Sequence, residues 1–232
     1  EMSLNWRCPW GVVAAANTLT RRLALMRRLG LRSASLDEQP DAVLDAVVTD
    51  HVPMRSIMRP CGVECHPETC PECEDLRRRT APLITAHGSR PKEVAYVAQA
   101  IKRLTDRGVR AGNIAILHRT NDHLSAYFAL ISLYGINVVL TTEGGGDEGN
   151  HVALCTVHGS KGGEWEYVFL VGASDHFFPL IHTQDYVPDL LELELQELRL
   201  LYVALTRTKR ELQITFVSTK ESRLTRFIGR RE

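Results

Sequence analysis

The chain has 232 residues, with 28 Lys and Arg balanced by 28 Asp and Glu and a hydrophobic fraction of 44%. That length supports one or two domains around a real core, and the composition is ordinary for a globular chain. Zero net charge excludes a wholly basic nucleic-acid coat and a long acidic tail, though not a local basic groove; no run of about 18 uncharged apolar residues offers a membrane span.

Residues 9–29 read as a helix, with Pro9 in the first turn and Val12, Val13, Ala16, Leu19, Leu23 and Met26 recurring near the helical period. Gly30 stops it. Residues 31–80 hold Pro40, Pro53, Pro60, Pro67 and Pro71, and 36–80 read as a cysteine-rich insertion around a short helix near 41–49. From residue 82 the pattern becomes regular. PLITA (82–86) is a strand, and 91–106 an amphipathic helix through Val94, Val97, Ala98, Ile101 and Leu104. NIAILH (113–118) is a strand, 122–134 a helix, INVVLT (136–141) a strand and EGGGDEGN (143–150) a loop with nothing to bury. VALCTVH (152–158) and YVFLVGA (167–173) are strands, 193–209 a helix, LQITFVS (212–218) a strand, and the tail a short basic helix.

Near-continuous Val/Ile/Leu strands alternating with helices require a parallel sheet covered on both faces. The expected fold is therefore α/β, a doubly wound, mostly parallel open sheet. Ligands in such folds sit at the carboxyl ends of the strands, which directs attention to the segments after His118, His158 and Ala173.

Six cysteines stand at positions 8, 61, 65, 70, 73 and 155. Arg7 and Pro9 interrupt the start and no long apolar core follows, so no signal peptide is read and a reducing intracellular compartment, cytoplasm or nucleus, is expected. The chain begins at Glu1 and is read as a fragment of a longer protein. Cys61, Cys65, Cys70 and Cys73 form C-x3-C-H-x3-C-x2-C. Four thiolates can close a tetrahedral zinc site, and CPEC is a good half of one. The tight Cys65–Cys70 spacing leaves His66 as a substitute ligand, and an iron–sulfur centre or a plain cysteine-rich loop stays open.

Three segments carry polar residues just after strands or on a helix face: NIAILHRTNDHLSAYFALISLYGI (113–136), TVHGSKGGEWEYVFLVGASDHFFP (156–179) and QELRLLYVALTRTKREL (196–212). In order and content they resemble motifs four, five and six of UvrD/Rep-like superfamily 1 DNA helicases, which belong to the second, C-terminal RecA-like lobe. LNWRC (4–8) resembles the NYRS segment that opens that lobe. The resemblance spans 4–29 and 82–218, and treats 1–232 as one lobe.

The resemblance implies roles residue by residue. Arg207 reaches the γ-phosphate of ATP, and Arg119 is a second phosphate-contacting arginine; a guanidinium fork suits spreading phosphoryl charge. Glu164 accepts a hydrogen bond from the ribose, Gly162 lets the backbone approach the nucleotide, and His118 stands where an aromatic stacks on adenine. Thr156 and His158 contact the backbone of single-stranded DNA; read locally, Thr156 is a turn cap. Glu197 orients motif six through an ion pair. Gly163 departs from the leucine of KGLE, Trp165 from phenylalanine, Trp6 from tyrosine, and Leu198 from a second arginine.

No GxxxxGK[ST] phosphate loop occurs in the sequence. ATP and Mg2+ are therefore expected to be held with the N-terminal RecA-like lobe, and the isolated chain is expected to hydrolyse nothing. The large accessory domain that the family often inserts between motifs four and five is expected to be absent. The functional expectation is the C-terminal motor lobe of an ATP-dependent DNA helicase moving 3′→5′ on single-stranded DNA. The alternative is a non-catalytic helicase-like binding module.

Overall fold

A computed structural model describes residues 4–5, 8–30, 55–56, 70–141, 149–174, 177–178, 180, 190–217 and 228. The expected helix near 41–49, residues 143–148 of the expected 143–150 loop and all of the tail beyond 217 except residue 228 lie outside the described residues, as do Cys61, Cys65 and the Cys73 side chain.

Strand β1 (Leu4–Asn5) pairs in parallel with β2 (Arg55–Ser56). Helix α1 (Trp10–Leu29) starts after Pro9 and ends at Gly30, whose φ of 66° is left-handed and whose N–H bonds the Met26 carbonyl. Here glycine avoids the strain a side chain would meet. Helix α2 (Pro71–Thr80) occupies the end of the segment read as an insertion. Its last residue meets the start of α1: the Gly11 N–H donates to Thr80 Oγ1 at 2.7 Å. A Cβ on Gly11 would stand 2.2 Å from the Ala81 nitrogen, so this approach requires glycine.

The main sheet follows as β3 (Leu83–His87), β4 (Ile114–His118), β5 (Val138–Leu140), β6 (Val152–Thr156), β7 (Trp165–Leu170) and β8 (Thr208–Val217). Its order is β3-β8-β7-β4-β6-β5, with every neighbouring pair parallel. Helices α3 (Arg90–Asp106), α4 (Leu124–Ser132) and α5 (Leu190–Leu205) complete the layers. Ser89 caps α3, accepting the Lys92 N–H.

Two cores flank the sheet, and β4 shows why its sequence is apolar throughout. Ile114 and Ile116 face Val97 and Ile101 of α3 and Tyr127 and Ile131 of α4. Ala115 and Leu117 face the α1 and α5 side, with Val12, Leu19, Leu198, Leu201 and Leu205. A strand buried on both faces has no solvent side on which to alternate. The expected doubly wound α/β fold is thus the observed one.

The third motif's boundaries differ from expectation. The helix ends at Leu205 and β8 starts at Thr208, four residues before the expected strand. The cause is capture by β7: the Trp165 N–H donates to the Arg207 carbonyl at 3.0 Å, and Trp165 pairs with Thr208, which is fully buried.

Candidate nucleotide and strand site

Arg119 follows the last residue of β4. Its Nη2 lies 2.6 Å from Glu197 Oε1, and its Nε lies 2.9 Å from Oε2 and 3.2 Å from Oε1. This is a bidentate fork between side chains only 15% and 6% exposed. Glu197 Oε2 also accepts the Leu180 N–H at 3.2 Å. The ion pair expected to orient motif six therefore exists, and its cation is the motif-four arginine.

β6 runs beside β4 in the register His118 with Thr156, and the Val157 N–H donates to the His118 carbonyl at 2.9 Å. His158 is exposed beside this pair. Desolvation first, then the charges of Arg119 and Lys161, lower its pKa, against Glu197, which raises it. Thr156 Oγ1 accepts the Gly159 N–H at 3.0 Å. The local reading of Thr156 as a turn cap is thus realised in this geometry.

His118 is 1% exposed. Its ring lies among His123, Tyr127 and Phe177, with centroids 5.4, 5.4 and 5.7 Å away. The Thr120 N–H donates to Nδ1 at 3.1 Å. Burial, ahead of every other influence, lowers its pKa to about 4 and keeps it neutral. In this conformation no face of the ring is open to adenine. Gly172, with φ 67°, closes over it; a Cβ there would stand 2.6 Å from His118 Nε2.

Glu93 is a group that sequence reasoning missed. It is fully buried in the first turn of α3. Its Oε1 accepts Thr215 Oγ1 at 2.7 Å and the Gly172 N–H at 3.0 Å, and its Oε2 accepts the Tyr127 hydroxyl at 2.5 Å. Three donors compensate a buried carboxylate. Burial first, then the adjacent Glu93, raises the Tyr127 pKa. One residue thereby ties α3, α4, β8 and the segment after β7 together behind His118. The available signal was a carboxylate one position before Val94 and four before Val97, on the apolar stripe of α3.

Arg207 and Glu164 occupy the opposite end of the sheet. Each directly precedes a strand, β8 and β7, so they stand at the amino ends of these strands. Arg207 Nη1 donates to the Gly163 carbonyl at 3.2 Å, Nε to the Val203 carbonyl at 3.1 Å and Nη2 to Thr206 Oγ1 at 3.1 Å. Glu164 Oε2 lies 3.4 Å from Lys209 Nζ. Gly162 has φ 87°, a value that favours glycine. Helix α5 joins the two groups: Glu197 lies eight residues before its end at Leu205, about 12 Å of helix, and Arg207 follows two residues later. The loop 157–164 crosses the same gap.

Cys70 immediately precedes α2, and its thiol donates to Glu72 Oε2 at 3.0 Å. Among the described residues no group of three or more His, Cys, Asp or Glu side chains could hold a metal ion. No helix among them is long and apolar enough to cross a membrane.

Residues 136–219, which hold the 157–164 loop, Arg207 and most of both flanking strands, match the family model of the UvrD-like helicase C-terminal domain. Over these residues the chain is similar to the C-terminal lobe of UvrD/Rep-like helicases. This lobe is 29% identical over 143 residues to a "probable DNA helicase" of Mycoplasma pneumoniae, covering 61% of the chain and 25% of that protein. It is 40% identical over 77 residues to the ATP-dependent DNA helicase Rep of Escherichia coli, covering 33% and 10%. The chain thus spans a quarter or less of the length of these relatives. The C-terminal domain of a "possible DNA helicase" from Lactobacillus plantarum superposes with a TM-score of 0.50 at 18% identity, over 64% of this chain and 80% of that one, which supports the fold.

Proposed function

We propose that this lobe is the C-terminal motor half of an ATP-dependent DNA helicase that moves 3′→5′ along single-stranded DNA. It works against the N-terminal RecA-like lobe of the same protein, which supplies the phosphate loop and the Mg2+ ligands. The observation that carries this reading is the Arg119–Glu197 fork. It ties the residue after β4 to the helix that leads into Arg207, with His158 beside it.

In this proposal Arg207 faces the γ-phosphate when the lobes close and stabilises charge that develops during transfer; Arg119, expected from the resemblance to share that phosphate, stands at the opposite end of the sheet and instead serves the strand side through Glu197. Glu164 takes the ribose, and Gly162 lets the backbone come close. His118 acts from within the core, holding the strand end beneath Arg119. Because Arg119 is already neutralised by Glu197, approach of a DNA backbone phosphate sets up a competition for one guanidinium. Glu197 lies on α5, which leads to Arg207, so nucleotide and strand affinities become linked through that helix. Such differential affinity between open and closed states is what turns hydrolysis into movement. His158 contacts the DNA backbone, and Thr156 shapes the turn that presents it. A structural zinc on Cys61, Cys65, Cys70 and Cys73 is proposed from their spacing, and an intracellular location from the likeness to DNA helicases.

The test is DNA-stimulated ATP turnover by the isolated 232-residue chain and by the full-length protein. Turnover in the full-length protein alone is expected. Turnover in neither would favour a helicase-like binding module.

A further inference from the structure

The two adjacent glycines of the KGGEW loop are required for different reasons. Gly162 takes a left-handed backbone. Gly163 does not, yet it is buried, and a Cβ on it would stand 2.4 Å from Cη2 of the Trp165 indole, 2.9 Å from Cζ2 and 3.0 Å from Cζ3. Carbon atoms pack at about 3.5–4.0 Å. The indole has no room to yield: it is 1% exposed within the core beneath α5. The missing side chain at 163 and the large one at 165 therefore share one volume.

Both residues also hold Arg207. The Gly163 carbonyl accepts Arg207 Nη1 at 3.2 Å, while the Gly163 N–H is fixed to the Ser160 carbonyl at 3.0 Å. The Trp165 N–H holds the Arg207 carbonyl at 3.0 Å. The main chain and the guanidinium of one arginine are thus gripped by two residues whose own spacing is set by the indole.

We infer that Gly163 and Trp165 form a size-matched pair that positions Arg207, an inference that rests on reading Arg207 as the phosphate-contacting arginine. Neither residue touches a nucleotide in this scheme; both act through Arg207 and are positioning residues. Moving the Gly163 carbonyl displaces one arm of the fork while the nucleotide's other contacts stay in place. Charge stabilisation during phosphoryl transfer depends on donor placement far more steeply than binding does. The pair should therefore govern turnover rather than affinity.

The test uses the full-length protein in four variants: Arg207→Ala as reference, Gly163→Ala, Trp165→Phe, and Gly163→Ala with Trp165→Phe. DNA-stimulated kcat, ATP affinity and melting temperature are measured on each. Gly163→Ala is expected to lower kcat about tenfold or more, with ATP affinity kept within about twofold. Phenylalanine ends short of the indole atoms that meet position 163, so in the double variant the new methyl fills the vacated space. Its kcat should rise above that of either single variant, a coupling that independent sites would not show. Gly163→Ala with undiminished kcat, or a double variant no faster than Trp165→Phe alone, overturns the pair. If Gly163→Ala does not fold, the comparison of Trp165→Phe with the double variant still decides. Arg207→Ala with normal turnover instead overturns the reading of Arg207, so the two failures are distinguishable.

Discussion

Removing Glu197 should damage this lobe more than removing any exposed charge. Its carboxylate receives three short contacts from Arg119 and one from the Leu180 N–H. With side-chain exposures of 15% and 6%, water cannot replace the lost partner. Glu197→Ala leaves a guanidinium without its counter-charge, a change that costs about 3–5 kcal/mol in buried pairs. The slight exposure of Arg119 places the cost near the lower end of that range. For a chain of this size each kcal/mol moves the melting temperature by about 2–4 °C, so a fall near 10 °C is expected. Glu197→Gln keeps the shape and one acceptor and should cost about 1.5–3 kcal/mol. Replacing both partners by methionine should recover most of the loss, because the unpaired charge is gone. Urea unfolding of the wild type, Glu197→Met, Arg119→Met and the double methionine variant gives the coupling energy directly. Additive single and double effects, or a Glu197→Ala loss under about 1 kcal/mol, would refute the fork as an interacting unit.

Other outcomes follow from the same geometry. His118 has a folded pKa of about 4 against an ordinary 6.5, so the unfolded chain binds its proton first. Its contribution is complete above the unfolded value and is lost as pH falls from about 6.5 toward 4, reaching about 2 kcal/mol by pH 5. Urea midpoints of the wild type and His118→Phe should converge over that window, and parallel curves would contradict the burial argument. His158→Ala should weaken single-stranded oligonucleotide binding several-fold across a salt series without a large loss of stability; unchanged affinity would return this side chain to a structural role. Thr156→Ala is the poorer probe, because it also removes the bond to the Gly159 N–H. Protein purified without added metal should carry about one zinc per chain, and metal-free protein with an unaltered fold would leave only a cysteine-rich loop.

The sheet was legible because both faces are buried. Continuous apolar strands such as IAILH and VALCT separated by amphipathic helices admit few other arrangements. Helix α1 and its glycine stop were legible for similar local reasons. Helix α2 was not, since its PECEDLRRRT sequence has almost no apolar stripe. It is supported by Pro71 at its start, by Arg–Glu and Arg–Asp pairs along its surface, and by the contact of Thr80 with Gly11. The end of α5 was misplaced because Leu200–Leu205 continues a helical pattern, while the decision to turn at Thr206 comes from β7. In the site, the residue types were readable and their partners were not. Nothing in the string LHRTN says that His118 turns inward while Arg119 reaches α5. Glu93 was invisible because its three donors come from residues 34, 79 and 122 positions away.

The central claim is that Arg207 acts on the phosphate in the transition state. The most direct measurement is DNA-stimulated ATP turnover by full-length Arg207→Ala, with nucleotide affinity determined on the same preparation. Turnover reduced by about 10³-fold or more, with affinity nearly unchanged, is the predicted result. Turnover close to wild type would contradict the account and return Arg207 to a helix-terminal residue that merely joins α5 to β8.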